Sequence, residues 1–491
     1  MIYSGEAWRL FSEEAARYGV QVNFDIVQSP QTVFTWGWLK LSQRALYLPS
    51  REHLRMLIRH KLGYRVYFPG SHELEKVAMI VASGKGVMAP QCFAYLCSDF
   101  FTALNILLNE GLDGESKKTY VEAVLSESER VDPKTVWLLK CYVLSMLSGI
   151  PAYGFMSVEA GGLVDLAKKV VDTLLSSSSI AFKLVRLADL LADLLNKEFK
   201  NVEDLRRLPE IFPLSSFETD KPLTMLSEIP VEVLENAASS LYSKGSGNTI
   251  SFKPDRVLVQ AIKISLHDKI LSARKSIGLS ESGRYYGTWT IGDDPSKLLV
   301  RDTLRAFGVV APPLYSLKLV DGEGVSETSS SSLCIVLDVS SSMLFPPSKA
   351  VNAKAGAMGL VEELKSRRTR LSICFFNASH LLKTYGYSYG DAVDDIASVI
   401  ISGDTDLHSA LEEASKTESE TMFVITDAEI SDPVERGRVL DLLQELSGKA
   451  RVNVFLIDDG KNSWIDGRGW RTYHLKASEP IVDKTVGLVD R

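Results

Sequence analysis

The sequence predicts two architectures in one chain: a mainly α-helical N-terminal region, then an α/β domain built on a doubly wound, mostly parallel, Rossmann-like sheet. Three observations carry this. Beyond about residue 330, near-continuous apolar runs of strand length alternate with amphipathic helices, the pattern of a parallel sheet covered on both faces. Before that point, residues 51–64, 119–149, 160–177, 179–197 and 224–242 show apolar spacing near 3.6. Between the two lies SETSSSS from Ser326, a flexible linker by composition. The expected divisions are a helical domain over 1–150, a helical extension over 151–245, a connector over 246–325 and the α/β domain over 326–491.

Taken in order, the first well-marked element is PSREHLRMLIRHKLGYRVYF, a helix with Ser50 as N-cap. Leu54, Leu57, Ile58 and Leu62 form its apolar stripe, and His53, His60 and Tyr64 fall together beside it. Arg51, Arg55, Arg59, Lys61 and Arg65, against Glu52 alone, give it a positive face. Such a face is solvated, tracks phosphates, or docks on the acidic end of the chain. SIAFKLVRLADLLADLL from Ser179 carries Lys, Arg and Asp at helical spacing and so belongs to a core. YSKGSGN from Tyr242 is a loop, and Gly287–Pro313, with its turn residues, short helix and proline pair, connects to the last domain. There LCIVLD, a helix over 348–365, LSICFF and an edge strand near Leu381 come first. Helices over 391–400 and 407–414, MFVITD, a helix over 433–446 and VNVFLID complete it.

Composition narrows the function classes. The chain has 491 residues, 45% hydrophobic and 24% charged, as expected of a soluble globular protein, and no apolar run reaches the ~18 residues of a membrane span. The opening MIYSGEAWRLF lacks the pattern of a secretory signal, and five cysteines read as buried reduced thiols, so a cytoplasmic location is expected. Up to residue 330 there are 37 Lys+Arg against 38 Asp+Glu, leaving 18 against 24 of the totals 55 and 62 beyond it. The acidic end disfavours phosphate tracking there and suits a divalent cation or a basic partner. His267, His380, His408 and His474 lack metal-spaced partners, and no Gly-x-x-x-x-Gly-Lys-Ser/Thr loop exists to bind ATP phosphates.

The chemistry concentrates where SLCIVLDVSSSML runs from an apolar strand into Asp338, Ser340, Ser341 and Ser342. ISGDTDLHSAL places Thr405 in a turn that opens a helix, and MFVITDAEIS ends another strand on Asp427. In doubly wound sheets ligands bind beyond the carboxyl ends of the strands. Two carboxylates and three neutral hydroxyls suit Mg²⁺, or Mn²⁺ or Ca²⁺, which take oxygen ligands. Ser340 and Ser342 would ligate directly and Thr405 directly or through water. Asp338 and Asp427 would accept hydrogen bonds from bound water and serine. An ion with few anionic ligands stays electrophilic, and its open position favours a carboxylate from another protein.

On these residues the region over about 330–475 resembles a von Willebrand factor A (VWA) domain with a metal-ion-dependent adhesion site (MIDAS). Asp338, Ser340, Ser342, Thr405 and Asp427 match its Asp-x-Ser-x-Ser, Thr and Asp in order. Ala428, where many members have Gly, and the Leu-Phe-Pro-Pro insertion before the first helix depart from the pattern. IGDDPSKLLVRDTL is similar to the segment preceding VWA domains that work beside MoxR-type AAA+ ATPases. The resemblance therefore implies an intracellular, non-catalytic module that binds an acidic side chain of a partner, in remodelling or cofactor insertion. His60-Lys61-Leu62-Gly63-Tyr64 looks like a decayed His-Glu-x-x-His zinc-peptidase motif, with Lys61 in place of the base and Tyr64 of the second imidazole. The helix from Ser98 resembles the Asp/Asn-bearing helix of such domains. The alternatives are an RNA-binding protein of the Ro autoantigen layout, which the near-neutral charge over 1–330 does not favour, and a zinc metallopeptidase.

Overall fold

The computed structural model describes residues 2–29, 32–35, 38–68, 72–129, 132–151, 161–199, 225–242, 249–253, 256–276, 285–288, 317–320, 332–367, 369–458, 462–467, 469–477, 479 and 481. The linker from Ser326, most of the loop after Tyr242 and most of the Gly287–Pro313 connector lie outside them. The chain divides into two compact units, Met1–Ile229 and Pro230–Arg491, a coarser division than the four expected segments.

The first unit is α-rich. Helix Ser4–Tyr18 precedes a small sheet of β1 (Asn23–Val27), β2 (Val33–Thr35) and β3 (Trp38–Ser42), in the order β1-β3-β2. Among the described residues seven α-helices follow: Arg51–Tyr67, His72–Gly84, Pro90–Asn109, Gly114–Ser128, Lys134–Ser148, Gly161–Leu175 and Ile180–Glu198. The Ser50 hydroxyl accepts from the His53 amide, capping the first of these as its sequence predicts. Leu54, Leu57, Ile58 and Leu62 are buried, so the apolar stripe faces the core. One expected helix over 119–149 is two, because the chain turns at Asp132 and Pro133, and proline cannot continue a helix past its first turn.

The positive face of Arg51–Tyr67 is solvated only in part, at Arg51 and less at Arg55. Arg59 and Lys61 are buried: Arg59 forks onto both Glu14 oxygens at 2.7 and 2.9 Å, and Lys61 lies 3.5 Å from Glu127. Arg51 pairs with Glu6 at 3.1 Å and Arg55 with Glu13 at 2.6 Å. The balancing carboxylates come from other helices, which a charge count along one helix cannot see. Pro90–Asn109 is the one helix among the described residues long and apolar enough to cross a membrane, and 72% of its apolar window is buried in the protein.

The second unit carries the sheet. Helices Val231–Tyr242 and Arg256–Ser276 and an antiparallel pair, β4 (Tyr285–Thr288) with β5 (Leu317–Val320), come first. Then follow β6 (Ser332–Asp338), helix Ser348–Arg367, β7 (Arg370–Phe376), β8 (His380–Gly386), and helices Tyr389–Ser398 and Leu407–Ser415. β9 (Thr421–Thr426), helix Pro433–Ser447, β10 (Arg451–Ile457) and β11 (Arg471–Leu475) close the unit. The sheet order is β11-β10-β9-β6-β7-β8, with every pair parallel except β7 with β8. β6, β7, β9 and β10 are buried almost end to end, as continuous apolar runs require. After β6 the chain builds outward through β7 and β8, then returns to build through β9, β10 and β11 on the other side. The crevice at this reversal, between β6 and β9, opens at the carboxyl ends of both strands.

Candidate functional site

Parallel pairing of Leu337 with Ile425 brings Asp338, the last residue of β6, level with the end of β9. Asp338 Oδ2 accepts from Thr426 Oγ1 at 2.5 Å, and Oδ1 accepts from the Ser340 amide at 2.9 Å. These two bonds hold the carboxylate and fold the serine loop back over the strand end. The Ser340 and Ser342 hydroxyls then lie 3.0 Å apart, and Ser342 Oγ donates to Asp427 Oδ1 at 3.1 Å. Asp338, Ser340 and Asp427 are all but inaccessible, and Ser342 is half-buried.

The Thr405 loop reaches the same end of the sheet. The Ser341 amide donates to the Gly403 carbonyl at 2.9 Å, and the Ser402 amide to the Val339 carbonyl at 2.8 Å. On its other side the Asp406 amide donates to the Asn377 carbonyl at 2.8 Å, and Asp406 caps helix Leu407–Ser415. Thr405 therefore sits between anchored Gly403 and Asp406 in the loop bonded to the serine loop, and its side chain is half-buried.

Burial is the main force on Asp338, with the neighbouring Asp427 carboxylate second. Together they push its carboxyl up to about 7 against the hydrogen bonds from Ser340 and Thr426. Two buried carboxylates this close call for positive charge, and the sequence reading missed where it comes from. Lys349, at the start of helix Ser348–Arg367, donates to Asp427 Oδ2 at 2.9 Å and to Glu429 Oε1 at 3.2 Å. Burial lowers the pKa of Lys349, but these carboxylates outweigh it and raise the ammonium above its ordinary range. Asn462 also donates to the Asp427 carbonyl, at 2.8 Å. Lys349 and Glu429 were legible only as a charged residue opening a helix and an acid two places after Asp427. Neither carries a spacing signal.

An oxygen set that holds a small hard cation must have its members at octahedral spacing. Two bonds of about 2.1 Å at a right angle place their oxygens ~3.0 Å apart, as octahedral Mg²⁺ demands. The Ser340–Ser342 separation of 3.0 Å fits adjacent ligand positions, and the 3.1 Å bond to Asp427 anchors Ser342 there. Among the described residues no group of three or more His, Cys, Asp and Glu side chains is arranged to hold a metal ion. A metal here depends on the hydroxyls.

The zinc-like motif of the first unit also gathers partners. His60 contacts Asp99 Oδ1 through Nε2 at 3.0 Å and the Tyr120 hydroxyl through Nδ1 at 2.7 Å. The Tyr64 hydroxyl donates to the same Asp99 oxygen, so helix Pro90–Asn109 presents Asp99 to His60 and Tyr64. His53 does not join them; it contacts Glu122 at 3.1 Å and Ser50 at 2.8 Å. Two ammonium groups fill the remaining space. Lys140 sits on Asp99 Oδ2 and lies 2.6 Å from Asp132, and Lys61 donates to Tyr64 at 2.9 Å. Burial works to raise the Asp99 pKa, but Lys140, His60 and Lys61 hold its carboxyl well below the usual range. Burial pulls the His60 imidazole down, towards neutral. The void beside Leu57 and Glu127 measures about 10 Å³, at most the space of one water.

No protein-family model matches this chain, and no curated protein matches it. Among solved structures, the chain is similar to the PilB minor pilin from Streptococcus sanguinis at 9% identity and a TM-score of 0.26. The match covers 37% of this chain and 65% of that one, so it spans less than two thirds of the pilin. A likeness this low carries no argument about fold or function.

Proposed function

We propose that this chain is an intracellular, non-catalytic interaction module whose second unit is a Rossmann-like VWA domain. Its adhesion site grips an acidic side chain of a partner through a divalent cation. The observation that carries the reading is the pair of Ser340 and Ser342 hydroxyls 3.0 Å apart, with Ser342 anchored on Asp427 at 3.1 Å, at the carboxyl ends of adjacent parallel strands. Ser340 and Ser342 would ligate the ion, Thr405 would join directly or through water, and Asp338 and Asp427 would anchor the bound hydroxyls and water. When bound, Mg²⁺, Mn²⁺ or Ca²⁺ supplies an electrophilic position for a visiting carboxylate. The chain's own groups set the loop, exclude water from Asp338 and balance charge. The strand order, with its reversal between β6 and β9 beneath the site, supports the same reading.

For the partner, the resemblance of IGDDPSKLLVRDTL favours a MoxR-type AAA+ ATPase, in remodelling or cofactor insertion. For the first unit, Lys61 and Lys140 beside His60 and Asp99 favour a structural role over hydrolysis, because two ammonium groups oppose zinc.

The test is Mn²⁺ binding by purified protein, followed by affinity capture with and without EDTA. One Mn²⁺ per chain is expected, lost in Ser340→Ala/Ser342→Ala, and chelator and variant should release the same captured proteins. Identical proteins in every lane would remove the adhesion mechanism.

A further inference from the structure

Lys349 is oddly placed for a cation site. Its side chain is 7% exposed and bridges Asp427, wholly buried, to Glu429, 55% exposed. The ammonium therefore links the site's innermost carboxylate to one at the surface. It uses Asp427 Oδ2, while Ser342 uses Oδ1, so lysine and serine divide one carboxylate between them. Asp338, Asp427 and Glu429 carry three negative charges when ionised and Lys349 one positive. The remaining charge of two is what one divalent cation neutralises. Yet an ammonium and a divalent cation leaning on the same carboxylate repel one another.

We infer that Lys349 is a built-in competitor for the metal: it holds Asp427 in the metal-free protein and passes to Glu429 when a divalent cation arrives. This rests on the metal-dependent reading of the same site and adds its regulation. Without the lysine, the metal-free protein would bury Asp427 beside Asp338 with no counter-charge, which costs folding stability. With it, the loop stays assembled, and the cation must displace a tethered rival. Selection follows, because a weakly held ion fails to dislodge Lys349 and only a divalent ion restores the balance of charge. Glu429, two residues beyond Asp427, keeps the displaced ammonium from being stranded.

The experiment uses the full chain and follows Mn²⁺ by the electron paramagnetic resonance signal of the free ion. Lys349→Met is expected to bind Mn²⁺ at least about tenfold more tightly, since one repelling charge is gone. Glu429→Gln is expected to bind more weakly, because Lys349 loses its second seat. Lys349→Arg keeps the charge and should not show the gain. In EDTA, Lys349→Met should melt below wild type and recover with Mn²⁺. Equal or weaker binding by folded Lys349→Met overturns the competition, provided wild type binds Mn²⁺ in a serine-dependent way. If Lys349→Met does not fold, unchanged or tighter binding by Glu429→Gln overturns it instead. Absence of serine-dependent Mn²⁺ binding in every variant defeats the metal reading itself, and the competition with it.

Discussion

Asp338 stands between two demands, for burial and for charge. Its carboxyl, pushed up to about 7, binds a proton in the folded state through a range where the unfolded chain has already released it. Between roughly pH 4 and 7 the folded state therefore holds more protons, and stability falls as pH rises through that window. Without added metal the protein should be less stable at pH 8 than at pH 5, by on the order of a few kcal/mol, and melt at a lower temperature. Asp338→Asn should flatten this dependence, as should saturating Mn²⁺, and calorimetry across pH reads both. Ala428 is a second informative residue. Its φ of 51° lies in the left-handed region, where a side chain costs ~1–2 kcal/mol. Alanine rather than glycine at this position is thus a real strain at the site's edge, offset by a methyl group buried in the core.

At the level of elements, legibility tracked burial. The four central strands were readable because both faces are covered and their apolar runs are unbroken. β11 was missed because Arg471–Leu475 alternates polar residues along an edge, where one side of the ladder is free. The turn at Asp132 and Pro133 was hidden in an apolar spacing that runs across it. The oxygen groups that meet at the sheet edge, Asp338, Ser340, Ser342 and Asp427, were legible from motifs at the ends of two apolar strands. Their counter-cation was not, because a lysine announces nothing about which distant carboxylate it meets. Helix packing left a similar blind spot. Gly63 lies where helix Arg51–Tyr67 meets Pro90–Asn109, and a Cβ there would stand 2.6 Å from Thr102 Cγ2. That methyl belongs to a β-branched side chain on a rigid helix and cannot swing aside. Gly63→Ala should therefore destabilise the first unit by about 1–3 kcal/mol in urea titration, despite alanine's better helix propensity.

At the scale of the molecule, each unit carries its own core, and in the second a buried ion cluster ties helix Val231–Tyr242 to helix Ser348–Arg367. Glu235, wholly buried in helix Val231–Tyr242, accepts from Lys253 at 2.9 Å and from Lys354 at 2.9 and 3.0 Å. Burial, opposed by Glu235 and reinforced by Lys253, pushes Lys354 down to about 7. Glu235→Gln strands these ammonium groups and should cost about 3–5 kcal/mol. The loss should fall on the unfolding of Pro230–Arg491 and leave that of Met1–Ile229 in place.

All five cysteines are free and buried, three of them in Met1–Ile229 and two in Pro230–Arg491. Burial pushes Cys92, Cys141 and Cys334 each up to about 12 and raises Cys97 and Cys374 as well. A thiol that is both covered and protonated does not alkylate. The native chain is therefore silent to iodoacetamide. Each opening event writes its own mass tag, three adducts for one half of the molecule and two for the other, a barcode of which half came apart.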